Sequence, residues 1–232
     1  MDVQSELAVD ARGIARRFGP KWVLRGVSLA VHPGEVVGLL GENGSGKTTL
    51  LRILSTLLRP SAGTVSVFGR DIAIAGSEVR DDVSFLAHTP GLYDDLTALE
   101  NLRFAAEMAG GSSVDLRDLI ERVGLARVAD ERVRGFSSGM QRRLALARMI
   151  LRRPRLLLLD EPYSNLDSDG TVLMNSVISE AKRTGSAAII VLHELAPAAG
   201  ILDRTVTIVD GRVMGPSLSS GSRAKSAAGG IA

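Results

Sequence analysis

Residues 41–48 read Gly41-Glu42-Asn43-Gly44-Ser45-Gly46-Lys47-Thr48, between the apolar segment EVVGLL and the helical pattern TLLRILSTLL. This order of strand, glycine-rich loop and helix is the setting in which the pattern G-x-x-x-x-G-K-[ST] binds phosphate. The glycines allow backbone N–H groups to surround an anion, and the helix N-terminus adds its dipole. We therefore expect residues of this segment, with Thr49, to bind a nucleotide.

Two residues of the loop have more specific expected roles. Lys47 is predicted to reach the β- and γ-phosphates, and the Thr48 hydroxyl to bind Mg²⁺. The other expected nucleotide-binding residues of the loop are Gly41, Asn43, Gly44, Ser45 and Gly46.

A second segment, LLLLDEP at residues 156–162, supplies carboxylates. Four leucines predict a buried strand that ends at Asp160, and ligands bind at this end of a parallel sheet. We expect Asp160 to bind Mg²⁺, directly or through water, and Glu161 to polarise the attacking water. Together the two segments indicate a P-loop nucleotide hydrolase. Kinases, GTPases, helicases and transporters share both, so the class stays open at this point.

Composition excludes several other classes of site. The 232 residues contain no cysteine and three histidines, which excludes disulfides, thiolate nucleophiles and cysteine-ligated zinc. A net charge of +2 without a basic run argues against nucleic-acid binding. The N-terminus has acidic residues and no long apolar core, and no apolar run reaches the roughly 18 residues of a membrane helix.

The rest of the chain alternates between strand and helix patterns. The first third is rich in strand patterns, and the last third alternates apolar runs such as AAIIVLH with helical segments, which predicts α/β architecture with parallel strands covered on both faces. Residues 88–150 form a predicted helical insertion, in which Thr97 and Glu100 make a capping-box pattern. The helix from Ser138 to Arg152 is expected to expose its arginines, and residues 216–232 are expected to be disordered.

The segment that narrows the class is Phe136-Ser137-Ser138-Gly139-Met140-Gln141-Arg142-Arg143-Leu144-Ala145-Leu146-Ala147-Arg148. It resembles the signature of ABC ATPases, usually LSGGQ followed by a basic helix. The resemblance implies that Ser137, Ser138 and Gly139 close over the ATP of a second copy, so that two chains meet head to tail. An ordinary capped amphipathic helix is the alternative interpretation.

Further positions are similar to the same family, over residues 6–215. Phe18 lies where an aromatic stacks on adenine, Ser164-Asn165-Leu166-Asp167 resembles the D-loop, and His193 resembles the switch histidine that contacts the γ-phosphate. The resemblance implies one ATPase domain over 1–215, with a RecA-like core and an antiparallel β subdomain in 1–87 and 151–215, and the helical signature subdomain in 88–150.

The sequence departs from the family pattern in three places. Met140 replaces the signature glutamine, and Ser138 replaces its first glycine. His88 stands where the family has a glutamine that touches Mg²⁺ and the attacking water. An imidazole can replace one of those contacts but cannot mimic the amide. A metal contact and a structural place in the loop are therefore both open for His88.

The stretch HTPGLYDDLTALENLRF at residues 88–104 resembles the haem-exporter ATPases of cytochrome c biogenesis. That resemblance implies a subunit that uses ATP to drive export or release of haem, or of a haem-loaded chaperone, without binding haem itself. Exporters of drugs, lipids and polysaccharides share these motifs and are the alternative, and a soluble ABC ATPase or a small-molecule kinase is a remoter one.

The resemblance also implies partners and a location. The expected partners are a second copy of the chain and integral membrane permeases that dock near residues 88–101, at the cytoplasmic face of the bacterial inner membrane.

Overall fold

The computed structural model describes residues 6–111 and 114–214. The strands are β1 (Val9–Phe18), β2 (Lys21–Val31), β3 (Val36–Leu40), β4 (Ala62–Val67), β5 (Arg70–Asp71), β6 (Val83–Leu86), β7 (Leu156–Asp160), β8 (Ala187–Val191), β9 (Arg204–Val209) and β10 (Arg212–Met214). The α-helices are α1 (Lys47–Leu54), α2 (Gly76–Asp82), α3 (Ala98–Met108), α4 (Leu116–Arg122), α5 (Ser138–Arg152) and α6 (Ser168–Arg183). The expected disordered tail at 216–232 lies outside the described residues.

A six-stranded sheet in the order β10-β9-β3-β8-β7-β6 forms the centre of the molecule. Strands β9, β3, β8, β7 and β6 are parallel, and β10 is an antiparallel edge. Every residue of β7 and β8 is buried, as the unbroken apolar runs predict for strands covered on both faces. Because β3 and β7 both flank β8, their carboxyl ends bring residue 41 and Asp160 to one edge of the sheet.

A smaller antiparallel sheet, in the order β2-β1-β4-β5, packs over the same face of the central sheet as α1. One apolar core, which includes Ile14, Leu24 and Leu50, lies between these layers. A second core lies under α5 and α6 on the other face. The confirmed fold is α/β, with an antiparallel β layer added to a parallel P-loop core.

Helices α3, α4 and α5 form a helical lobe with its own apolar core, which includes Leu102, Ile120 and Leu144. The Thr97 hydroxyl accepts the Glu100 backbone N–H, and the Glu100 carboxylate accepts the Thr97 N–H. The predicted capping box is therefore present at the start of α3, where it satisfies two backbone donors that the helix leaves free.

Among the strands and α-helices, three short elements, β5, α2 and β6, had no predicted counterpart. Helix α2 and strand β6 follow one another over residues 76–86. Each is too short for a periodic pattern to distinguish it from a loop. Within residues 6–111 and 114–214, no helix combines the length and the apolar character that crossing a membrane requires.

Candidate functional site: a nucleotide-binding and hydrolysing centre

The glycine-rich loop connects β3 to α1 and depends on backbone conformations that favour glycine. Gly41, Gly44 and Gly46 have φ angles of 142°, 80° and 109°. A Cβ atom on Gly41 would lie 2.2 Å from the Ile208 carbonyl oxygen, and one on Gly46 would lie 2.5 Å from Leu24 Cδ2. The loop therefore has the conformation in which successive N–H groups can face a phosphate.

Lys47 is buried at the start of α1, and its ammonium is held across the loop. Its Nζ donates to the Gly41 carbonyl at 2.7 Å and to the Glu42 carbonyl at 2.9 Å. The side-chain oxygen of Ser45 is also buried and, among the described residues, has no hydrogen-bond partner. A bound phosphate would supply the acceptor that Ser45 lacks and a counter-charge for Lys47.

Thr48 and Asp160 bring two oxygen ligands together below the loop. The Thr48 hydroxyl donates to Asp160 Oδ1 at 3.1 Å, and Asp160 is buried. Burial raises the pKa of Asp160, and the hydrogen bond from Thr48 partly opposes this shift. A bound cation would favour the ionised form.

Thr48 and Asp160 are a suitable pair of ligands for Mg²⁺. In the described part of the chain, no cluster of three or more histidine, aspartate or glutamate side chains could hold a metal ion. Mg²⁺ commonly uses one carboxylate together with substrate phosphates and water, so Thr48 and Asp160 suffice as protein ligands.

Glu161 follows β7 and carries two imidazole contacts. His193 Nε2 lies 2.7 Å from Oε1, and His88 Nδ1 lies 3.4 Å from Oε2. The backbone of Glu161 is left-handed, with φ 51°, which is unusual for a residue with a side chain. The structure thus brings His193 to the expected water-activating carboxylate and places His88 on the other oxygen of the same group.

A cavity of about 260 Å³ opens over the loop. It is lined by Lys21, Val23, Asn43, Gly44, Gly46, Lys47, Thr48, Thr49 and Glu161. Phe18 is 47% exposed and pairs across the β1–β2 hairpin with Lys21, which is one of the residues that line the cavity. The Arg16 guanidinium lies 4.7 Å from the centre of the Phe18 ring.

The signature residues lie apart from this cavity, at the start of α5. Ser137 is the N-cap and accepts the Met140 N–H at 3.2 Å, while Ser138 and Gly139 form the first turn. Asp167 is the N-cap of α6 and accepts the Gly170 N–H at 2.8 Å. Of the described residues lining the cavity, none belongs to segment 137–139, so this chain leaves its signature free of its own nucleotide cavity.

The comparisons with known proteins agree with this arrangement. The sequence model of the family described as ABC transporter matches residues 24–164, which contain the loop, the signature helix and Glu161. The chain belongs to the ABC transporter family. It is the ATP-binding and ATP-hydrolysing subunit of a transporter of that family.

Several curated relatives of the ABC transporter family cover most of the chain. The cytochrome c biogenesis ATP-binding export protein CcmA 2 of Cupriavidus metallidurans is 37% identical and covers 86% of this chain and 96% of its own length. A fluoroquinolones export ATP-binding protein of Mycobacterium tuberculosis is 36% identical, covering 89% of this chain and 69% of its own length. NatA of Bacillus subtilis is 35% identical, covering 86% and 85%.

Solved structures of ABC cassettes share the fold. The structure of an ATP-binding subunit of an ABC transporter has a TM-score of 0.81 at 29% identity, covering 89% of this chain and 88% of its own. A dimeric ATP-binding cassette in a post-hydrolysis state, bound to ADP and Pi, has a TM-score of 0.78 at 25% identity, covering 88% and 96%.

The signature helix of this ABC subunit contains an arginine for which the sequence reasoning was wrong. Arg142 was expected on the exposed face of α5, but it is 3% exposed. Its guanidinium donates to the carbonyls of Ala87 and His88 at 2.7 and 3.0 Å, with a longer contact of 3.5 Å to the Glu161 carbonyl. No local pattern indicates this, because all three partners lie in distant parts of the sequence.

A larger groove of about 740 Å³ lies between the ABC core and the helical lobe. Tyr93 and Phe104 meet edge to face in its wall, with ring centres 5.0 Å apart, and Met108 is 74% exposed beside them. Arg148 of α5 donates to the Pro90 and Gly91 carbonyls, both at 2.8 Å, and so fixes the loop that borders the groove. The groove lies next to the loop that contains His88.

Proposed function

We propose that this ABC subunit binds Mg²⁺ and ATP through the loop and hydrolyses the bond between the β- and γ-phosphates, giving ADP and phosphate, with Glu161 as the base. The backbone of residues 41–47 and the Lys47 ammonium bind the phosphates, and Thr49 follows in the same helix. Phe18 stacks on adenine, which reads no base edge and gives modest selectivity between bases. Thr48 and Asp160 hold Mg²⁺, which neutralises charge on the transferred phosphoryl group.

The residues around Glu161 prepare an in-line attack by water. The Glu161 carboxylate accepts a proton from the water, and His193 moves from Glu161 towards the γ-phosphate as nucleotide binds. The starting point of this movement is the 2.7 Å contact between His193 Nε2 and Glu161 Oε1. His88 lies 3.4 Å from the second oxygen of Glu161, and we propose for it either a structural place beside this carboxylate or a contact with the metal ion.

We propose that two copies of the chain pair head to tail, with residues 137–139 of one copy on the ATP of the other. The free N-terminus of α5 is an anion site by its dipole and its N–H groups. Because residues 137–139 are not among the described residues that line the chain's own cavity, a partner's nucleotide is the ligand that we propose. Asp167 lies at the same surface and belongs to the interface of the pair.

The domain division follows from the same proposal. Residues 1–215 act as one ATPase domain, in which 1–87 and 151–215 form the catalytic lobe and 88–150 the helical lobe. The groove beside residues 88–101 receives membrane permease subunits, which places the chain at the cytoplasmic face of the bacterial inner membrane. Its lining combines Tyr93, Phe104 and Met108 with charged side chains such as Glu78 and Arg152, which suits an amphipathic helix.

The transported substrate we propose is haem, or a haem-loaded chaperone, released for cytochrome c biogenesis. The observation that carries this is the 88–104 segment, together with the biogenesis protein from Cupriavidus metallidurans that matches over 96% of its length. Export of drugs, lipids or polysaccharides is the second candidate, favoured by the similar identity to the fluoroquinolone-export relative.

Deleting the gene in its host separates the two candidates. The haem proposal expects loss of covalently attached haem in c-type cytochromes, measured by peroxidase staining of membrane proteins, and restoration by the wild-type gene but not by a Lys47→Ala gene. Normal cytochrome c staining together with increased drug sensitivity would favour the second candidate. If the tagged chain never co-purifies with a polytopic membrane protein, both exporter proposals fail.

A further inference from the structure

Arg142 is a buried cation that joins three separate parts of the chain. It leaves α5 and reaches the carbonyls of Ala87 and His88, just after β6, and approaches that of Glu161, just after β7. The first two contacts, at 2.7 and 3.0 Å, are short and charge-assisted. The guanidinium thus lies between the backbone of His88 and the backbone of Glu161. The side chains of these two residues also approach each other, since the His88 imidazole lies beside the Glu161 carboxylate.

The burial of Arg142 carries an electrostatic cost. Burial lowers the pKa of Arg142, and the nearby charges of Asp160 and Glu161 oppose that shift. A buried charge of this kind is tolerated only where its hydrogen bonds and counter-charges are in place. The nearest compensating charges are those of the site itself, so the position of this arginine is tied to the catalytic centre rather than to the helical lobe.

The segment that Arg142 touches, residues 161–167, is strained at two places. Glu161 and Asn165 both have left-handed backbones without being glycine, with φ angles of 51° and 62°. Such conformations persist only where surrounding contacts determine them. We call this segment the catalytic turn.

Helix α5 contacts the catalytic turn at its start, its middle and its end. Arg142 approaches the carbonyl of Glu161, and Arg143 forms a 2.7 Å salt bridge with Asp167. Between them, Gly139 approaches the backbone so closely that a Cβ atom there would lie 3.0 Å from the Asn165 carbonyl oxygen. The first turns of α5 therefore supply the contacts that a strained backbone needs.

We propose that Arg142 is a positioning residue for hydrolysis, which fixes the backbone of His88 and Glu161 relative to each other and makes turnover depend on the place of α5. The inference rests on the proposed role of Glu161. Helix α5 begins at the signature, so a movement of the signature moves Arg142 with the helix. That movement changes the orientation of the Glu161 carboxylate. Among the described residues, Arg142 does not line the cavity over the phosphate loop, so we expect its effect on the rate after ATP binds.

The test is steady-state ATPase kinetics of Arg142→Lys in the full chain. Lysine keeps the charge, but its single shorter-reaching nitrogen lacks the planar fork in which two separate nitrogens of Arg142 bond Ala87 and His88, so it cannot reproduce both contacts in the same geometry. We expect kcat to fall by about 10- to 100-fold, because misplacing a catalytic group by about 1 Å costs on that order. The KM for ATP should stay within about threefold, because the phosphate loop is unchanged.

Arg204→Lys is the matched control. Arg204 is a half-buried arginine that donates to the Glu35 carboxylate and the Ala30 carbonyl, at the amino end of the parallel strands and away from the loop. We expect it to lower thermal stability while leaving kcat within about twofold of the wild type. Comparing Arg142→Lys with Arg204→Lys separates a loss of stability from a loss of catalytic positioning.

Several results would overturn the inference. One is a kcat of Arg142→Lys within twofold of the wild type, and another is a raised KM with unchanged kcat. If Arg142→Lys does not fold, Arg142→Gln, whose amide donates to one carbonyl, replaces it under the same criteria. Failure of both to fold while Arg204→Lys folds would show a purely architectural arginine. An inactive wild-type chain would instead count against the proposed function.

Discussion

The phosphate loop follows β3 and the catalytic turn follows β7, both at the carboxyl ends of the parallel strands. The two segments are held in place by different kinds of contact. The loop is a single stretch between β3 and α1, and its lysine bonds its own carbonyls at Gly41 and Glu42. The catalytic turn has side-chain contacts from α5, from the His88 loop and from His193. A locally held element binds ligand independently of distant parts, whereas one held from outside can respond to their movement.

Lys47→Ala should give the largest effect and tests the loop. Removing the buried ammonium takes away a charge-assisted contact to phosphate, and we expect ATP affinity to fall by more than about 100-fold. Titration with a fluorescent ATP analogue measures this. Lys182→Ala, which removes a surface ion pair with Asp203, is the control and should bind normally. Tight binding by Lys47→Ala would contradict the role given to the lysine.

Glu161→Gln tests the turn and should separate binding from turnover. The amide cannot accept a proton, so hydrolysis should fall by about 10²- to 10⁴-fold while ATP binding persists. Light scattering with ATP and Mg²⁺ should then show a dimer. Glu180→Gln, which removes an exposed ion pair with Arg122, should turn over normally. A monomeric Glu161→Gln variant in saturating ATP would argue against head-to-tail pairing.

Gly139→Ala tests whether the catalytic turn responds to a change in the packing of the first helical turn of α5. The added methyl would meet the Asn165 carbonyl at 3.0 Å, which requires a shift of a few tenths of an ångström. Alanine favours helix by about 0.5–1 kcal/mol over glycine, so stability should change little. We expect kcat to fall several-fold in steady-state assays.

Gly135→Ala is the matched control for that variant. It lies four residues earlier in the chain, where an added Cβ has open space, and it should keep wild-type kcat. Equal kcat values for the two alanine variants would mean that the catalytic turn does not respond to the packing of α5.

These two regions were predictable from sequence to different degrees. The loop was readable because its glycines, Lys47 and Thr48 lie in one short stretch, and the structure places Gly44, Gly46, Lys47 and Thr48 around one cavity. The strand that ends at Asp160 was readable for the same reason, since four consecutive leucines indicate burial. Both depend on chain-local patterns.

The contacts of the catalytic turn were beyond such patterns. Arg142 looked like a surface residue of a basic helix, and nothing near it in sequence indicates that it would bond carbonyls 54 and 55 positions away. Likewise His88 lies 3.4 Å from a Glu161 oxygen, a contact that the sequence around His88 does not indicate. Contacts between distant segments depend on the assembled sheet, so one sequence does not reveal them.

Asp203→Asn should give the smallest effect and sets a baseline away from both regions. Burial alone would raise the pKa of Asp203, but the Lys182 ammonium and the Val36 N–H outweigh it and hold the pKa below its usual range. A lowered folded-state pKa stabilises the fold above the unfolded value of about 3.9, and this stability is lost as pH falls through the folded value.

The group is partly exposed, so the asparagine variant should lose less than about 1 kcal/mol at pH 7. Urea unfolding at pH 7, 5 and 3.5 should show the difference from the wild type shrinking at the lowest pH. A difference that grows towards acid would mean that the sign of the pKa shift is wrong.

The edges of the central sheet have a practical consequence for handling the protein. Both edge strands are short, with β6 spanning residues 83–86 and β10 spanning residues 212–214. Short edges present few unpaired backbone groups to a second sheet, which limits aggregation by strand addition. We therefore expect little association through these two edges of the central sheet in concentrated stocks.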